Sequence, residues 1–158
     1  MDVQLRPMRE DEFTAWLPRL REDYGQAMID DAGVTPEGAR EKAAADVESL
    51  FPGERPSAEQ LVFVIEADDK RVGELWLAER EDLRQPTLFI YDIHIDEAYR
   101  GRGYGKAAMI LVEEEARRRG IDRVALSVFG RNAVARRLYQ SLGYTENAIA
   151  MSKSLSAN

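Results

Sequence analysis

"YRGRGYGKAA", residues 99–108, sets Gly101, Gly103 and Gly105 two apart among Arg100, Arg102 and Lys106, with no acid between them. Glycine loses more conformational freedom on folding than any other residue, so a run like this needs a reason. The flanks supply one. Upstream, "TLFIYDIHI" (87–95) is rich in β-branched and aromatic residues and reads as a strand. Downstream, Ala108, Leu111, Val112 and Ala116 fall on one face of a helix that stops at Gly120, with Arg117 to Arg119 facing the negative end of its dipole. A strand, a glycine loop and a helix N-terminus bring several backbone N–H groups to a positive dipole end, where an anion can approach bare backbone. Arg100, Arg102 and Lys106 can add charge-assisted contacts to a phosphate. The plainer reading is a turn with solvated bases around it.

Two common phosphate loops do not fit. A P-loop needs Gly-Lys followed by Ser or Thr, whereas Lys106 precedes Ala107. The dinucleotide fingerprint needs GxGxxG after an early strand, which the two-residue glycine spacing here breaks. The strand before the loop also lacks the paired acids of a magnesium–nucleotide site.

The bulk of the chain narrows the class further. Its 158 residues are enough for one domain with its own core. No apolar stretch approaches a membrane span, and "MDVQLRPMRE" at the start has no apolar signal region. A net charge of −7 argues against general nucleic-acid binding and suits a cationic partner as well as plain solubility. With no cysteine, disulfides, thiolate zinc sites and cysteine nucleophiles are excluded, and a reducing cytoplasm is the expected compartment. A single histidine excludes a histidine-rich metal site, and no metal requirement is expected.

Working outward, "VQLRPM" reads as an opening strand. Phe13, Trp16, Leu17, Leu20, Tyr24, Ala27 and Met28 follow helical spacing, and Pro18 is expected to kink or split that helix. Thr35 and Pro36 open a second helix whose inner stripe is Ala43, Val47 and Leu50. "LVFVIEA" and "VGELWLA" form a hairpin across "DDKR". "RVALSVF" (123–129) is a further strand. Ala135, Leu138, Tyr139 and Leu142 mark a last helix ending at Gly143, and "AIAMSKSL" (148–155) is expected as a closing strand. The order β–α–α–β–β–β–α–β–α–β predicts an α/β domain whose first strands form an antiparallel meander. The crossover from 87–95 to 123–129 should make those two strands parallel.

Two motifs in this order carry a resemblance. Arg100, Gly103 and Gly105 match Arg/Gln-x-x-Gly-x-Gly/Ala, and "NAVARRLYQSLGY" matches Asn-x-x-Ala-x-x-x-Tyr-x-x-x-Gly-Phe/Tyr through Asn132, Ala135, Tyr139, Gly143 and Tyr144. The chain resembles the GCN5-related N-acetyltransferases, the GNAT family, over residues ~60–155. The resemblance implies a single-domain GNAT-like fold over 1–158, with a mixed sheet split between two parallel strands and flanked by helices. Residues 1–55 would be the variable helical part on the acceptor side, and 60–155 the acyl-CoA-binding core. It implies an acyltransferase that moves an acetyl group from acetyl-CoA, as co-substrate, to a primary amine by direct attack in a ternary complex. Dimerisation is common in the family, so a homodimer is compatible with it.

Residue roles follow from the same resemblance. The pantetheine arm would pair with backbone at Ile93, His94 and Ile95. The pyrophosphate would sit on the amides of Gly101, Arg102, Gly103, Tyr104, Gly105 and Lys106, beside Arg100. An N–H near Ile95 would polarise the thioester carbonyl. Tyr139 would protonate the departing thiolate, as a phenol can at neutral pH. Asn132 would hold the CoA arm. The plainer readings are core packing for Ile93, Ile95 and Tyr139, and a helix cap for Asn132.

The base is less well marked. Where some members carry a glutamate on the strand after the glycine loop, this chain has Ser127. Asp92 in an otherwise apolar run is the candidate, since an isolated buried carboxylate needs an explanation. His94, the lone histidine, is a second candidate, and an amine can lose its proton to solvent. Trp16, Glu22, Asp23 and Tyr24 are candidates for the acceptor side, with Trp16 and Tyr24 equally readable as core. Two other functions fit parts of the pattern: a CoA-binding regulatory module without catalysis, and a nucleotide-binding domain, which the missing lysine–serine pair disfavours.

Overall fold

A computed structural model describes residues 2–82 and 84–156. Contacts divide the chain into two compact units, Met1–Ser127 and Val128–Asn158. The first holds β1 (Val3–Pro7), α1 (Glu10–Ala32), α2 (Pro36–Leu50), β2 (Gln60–Ala67), β3 (Lys70–Asp82), β4 (Gln85–Ile95), α3 (Tyr104–Arg118) and β5 (Val124–Leu126). The second holds α4 (Ala133–Ser141). The architecture is α/β, a five-stranded mixed sheet in the order β1-β2-β3-β4-β5 with flanking helices.

The meander is antiparallel through β4, and β5 joins β4 in parallel after the α3 crossover. The β2–β3 hairpin turns on Asp68 and Asp69, both at positive φ (51° and 63°). That is the backbone of a two-residue turn whose twist matches the strands. Thr35 caps α2 by accepting from the Gly38 N–H at 3.1 Å, with Pro36 in the first helical position.

Alternation sorts the sheet's faces. Trp76 of β3 lies with Phe13, Trp16, Leu17 and Leu20 of α1 and with Val47 and Phe51, so its face is the one covered by α1 and α2. Phe51 is fully buried, its ring centroid 5.3 Å from Phe13, 5.8 Å from Trp16 and 5.2 Å from Trp76. Removing that ring leaves a cavity that three other aromatics cannot fill without moving. We expect Phe51→Ala to cost about 3–5 kcal/mol in chemical denaturation.

Three expectations are corrected. Pro18, expected to kink or split α1, does not split it: the helix runs from Glu10 to Ala32. Pro18 and Thr14, whose carbonyl loses its helical donor, both lie on the exposed side, where water can satisfy the oxygen. Buried Phe13, Trp16, Leu17 and Leu20 hold the helix on either side of the break in its bonding. The strand expected over 123–129 forms only at Val124–Leu126. The expected closing strand over 148–155 does not form: these residues are exposed and join no strand pair among the described residues. Strand-like alternation does not make a strand where no neighbour supplies the ladder.

Candidate active site

Strand β4 outruns its parallel partner. Leu88, Phe89 and Ile90 pair with Val124, Ala125 and Leu126, and there β5 ends. Residues Tyr91–Ile95 continue with β3 on one side and no paired strand on the other among the described residues. Asp96 donates its N–H to Val72 O of β3 at 2.8 Å. Since backbone groups alternate in direction along a strand, His94 turns its N–H and C=O toward β3, while Ile93 and Ile95 turn theirs to the open edge. There Arg100 Nε donates to Ile95 O at 2.9 Å.

A β-bulge decides which side chains face which way. Trp76 pairs with Asp92 and Leu77 with Ile90, leaving Tyr91 as the extra residue on β4. Asp92 and His94 therefore share the face of their partners Trp76 and Glu74, while Ile93 and Ile95 share the opposite face with Leu75 and Gly73. Tyr91 stacks on Trp76 with ring centroids 4.6 Å apart. A second bulge, at Val72 of β3, brings Arg71 to the same side as Glu74. Glu74 is buried and ion-paired with both Arg71 and Arg19, the latter at 2.8 Å.

Asp92 lies beside this group, partly buried and with no hydrogen bond from another described side chain. Burial pushes its carboxyl up from 3.8 to about 6; the neighbouring His94 opposes the shift, and the carboxylates of Glu74 and Asp23 add to it. It is thus ionised at neutral pH and close enough to neutrality to take a proton. His94 Nε2 lies 3.7 Å from Asp96 Oδ1.

The glycine loop follows directly. Gly101 and Gly103 adopt positive φ (73° and 85°), the left-handed region that favours glycine. Gly103 is the N-cap residue of α3, which has no side-chain cap and no acid in its first turn. The N–H groups that open a helix have no intrahelical acceptor, so those of Tyr104, Gly105 and Lys106 are available to an anion. The sequence-derived residues from Asp92 to Lys106 are therefore brought together on one strand end and one helix start. Those of the second motif lie in the second unit. There Asn132 caps α4, its Oδ1 accepting from the Ala135 N–H at 3.2 Å. The cap leaves its NH₂ group to donate elsewhere. Tyr139, on α4, has its ring centroid 6.2 Å from that of Tyr144. Of the acceptor-side candidates, Trp16 is core, and Tyr24 is exposed and donates its hydroxyl to Asp46 at 2.9 Å.

A strand parting from its parallel neighbour into an uncapped, glycine-led helix is the decisive arrangement, and a family model described as "Acetyltransferase (GNAT) family" matches residues 10–144. The chain belongs to the GNAT acetyltransferase family. It is similar along its length to two Bacillus subtilis N-acetyltransferases. YycN is 31% identical over 98% of this chain and 100% of its own, and YdgE is 34% identical over 98% and 99%. The crystal structure of YycN superposes with a TM-score of 0.90, covering 98% of this chain and 99% of that one. The aminoglycoside acetyltransferase AAC(6')-Iy, solved with a CoA-linked bisubstrate analogue, shares the fold at a TM-score of 0.65 and 20% identity, over 99% of this chain and 100% of that one.

This GNAT chain is an acyltransferase by family. Among the described residues no group of three His, Cys, Asp or Glu side chains could hold a metal ion, and no helix is long and apolar enough to cross a membrane. Sequence reasoning missed Gly73, Glu74 and the two bulges. A glycine within an apolar strand run was the available signal for Gly73. The bulges leave no mark in composition.

Proposed function

We propose that the protein is an N-acetyltransferase that moves the acetyl group of acetyl-CoA to a primary amine, both substrates being bound together, within a single domain of acceptor-side helices and acyl-CoA core. The observation that carries this reading is the free edge of β4 at Ile93 and Ile95 leading into uncapped N–H groups at Tyr104–Lys106. The pantetheine arm pairs along that edge, as a peptide strand would. The pyrophosphate rests on Gly101–Lys106 with charge from Arg100, Arg102 and Lys106.

The amine nitrogen attacks the thioester carbonyl carbon, and an N–H at the Ile95 end of β4 stabilises the oxyanion. The tetrahedral intermediate then collapses, breaking the C–S bond. Asp92 takes the proton that the amine nitrogen sheds as the N–C bond forms, and Tyr139 gives its phenolic proton to the CoA thiolate. Asn132 holds the arm through the donor left over from its cap. The products are an N-acetylated acceptor and CoA.

The experiment is titration of acetyl-CoA into the protein by calorimetry, followed by mass-spectrometric screening of primary amines for a gain of one acetyl group. Binding without transfer to any amine would leave only a CoA-binding module; no binding would remove the reading. Once an acceptor is found, we expect Tyr139→Phe to lower kcat on the order of 10²-fold with acetyl-CoA affinity unchanged. Equal kcat in variant and wild type would release Tyr139 from the acid role.

A further inference from the structure

Gly73 stands at the point where β3 carries the acyl-CoA edge of β4. It pairs with Ile95 and follows directly on the Val72 bulge. A Cβ built on Gly73 would lie 2.1 Å from the His94 carbonyl oxygen and 3.1 Å from both His94 C and Ile95 Cα. The backbone of β4 therefore fills the space that any side chain at 73 would take. All three atoms belong to backbone, so no rotamer change relieves the overlap. Any other residue must push β4 away at His94–Ile95.

The consequence is local. Ile95 is where the N–H and C=O turn to the open edge, and its carbonyl also anchors Arg100 of the glycine loop. The close pairing that Gly73 permits fixes the twist of β4 between its bulge and the loop.

We infer that Gly73 is a positioning residue for the acyl-thioester arm, an inference that rests on the acetyl-CoA reading above. By letting β4 lie directly on β3, it sets the direction in which the Ile93 and Ile95 backbone groups meet the arm. A displacement of about an ångström in such groups is enough to lose much of an oriented interaction.

The test compares two ligands on Gly73→Ala. Acetyl-CoA uses both the β4 edge and the loop. 3′-Phosphoadenosine 5′-diphosphate, the nucleotide end of CoA, lacks the arm. Val72→Ala serves as the control: it truncates a buried residue of the same strand without adding an atom between the strands. The expected result is a loss of acetyl-CoA affinity of roughly tenfold or more in Gly73→Ala, with nucleotide affinity unchanged and both ligands bound normally by Val72→Ala. Equal weakening of both ligands, no weakening of either, or the same selective loss in Val72→Ala would overturn the inference. So would a Gly73→Ala protein without the wild-type circular-dichroism spectrum, because the glycine would then serve the sheet and not the ligand. Failure of the wild type to bind acetyl-CoA would instead strike the functional reading itself.

Discussion

Gly103→Trp should weaken acetyl-CoA binding by at least about a hundredfold, while the protein keeps its wild-type circular-dichroism spectrum. Gly103 is exposed, so the new side chain has no core to disrupt. Its φ of 85° means that any other residue there is strained, by about 1–2 kcal/mol. That is tolerable for a folded domain. For a phosphate the change is severe, since an indole at the N-cap of α3 stands where oxygens must approach the first-turn N–H groups. Calorimetric titration of wild type and variant checks it. Retained affinity would place the anion elsewhere and remove the loop from the site.

Asp92→Asn should lower kcat/KM on the order of 10²–10³-fold at neutral pH, and the loss should carry a pH signature. A base must be ionised to act, so the acid limb of the wild-type profile should turn at about 6, where burial places this carboxyl, and not near the ordinary 3.8. A variant that keeps a limb at about 6 would acquit Asp92. Stability supplies a second check. A carboxyl whose pKa is raised by folding contributes stability that is complete below its unfolded pKa and lost as pH rises through the folded one. Asp92 should therefore destabilise the wild type progressively between about 3.8 and about 6. Asp92→Asn should be more stable at neutral pH by up to about 3 kcal/mol, and the gap should close in acid. Denaturant midpoints at a series of pH values measure it.

Strong local signals were the legible ones. The hydrophobic run of β4, the helical stripe of α3 and the glycines between them were readable because each follows from local chain stiffness, periodicity or the absence of a Cβ. Thr35 was readable as a cap for the same reason. Pro18 misled because a proline's penalty depends on which way the orphaned carbonyl faces, and the packing of α1 decides that. Residues 148–155 misled because a ladder needs a neighbour that alternation cannot supply. At the site, Asp92 could be picked out as an oddity in an apolar run. Its company of Glu74, His94 and Asp23 could not, since strand register and the approach of α1 create it. The tight fit at Gly73 is likewise a property of two backbones, visible only once they are laid side by side.

The extra residue at Tyr91 also marks a point where this stretch can lose a residue and stay in step with β3. Deleting Tyr91 would restore plain two-residue alternation between Ile90 and Asp92. Positions 92 to 95 would keep the faces they have, since Ile90 and Asp92 already pair with the adjacent Leu77 and Trp76; the ring stacked on Trp76 and the local twist of the bulge would be lost. Descendants of this gene should therefore accept a gap at 91 more readily than at any position from 92 to 95, each of which has a partner on β3, and libraries that vary chain length should begin there.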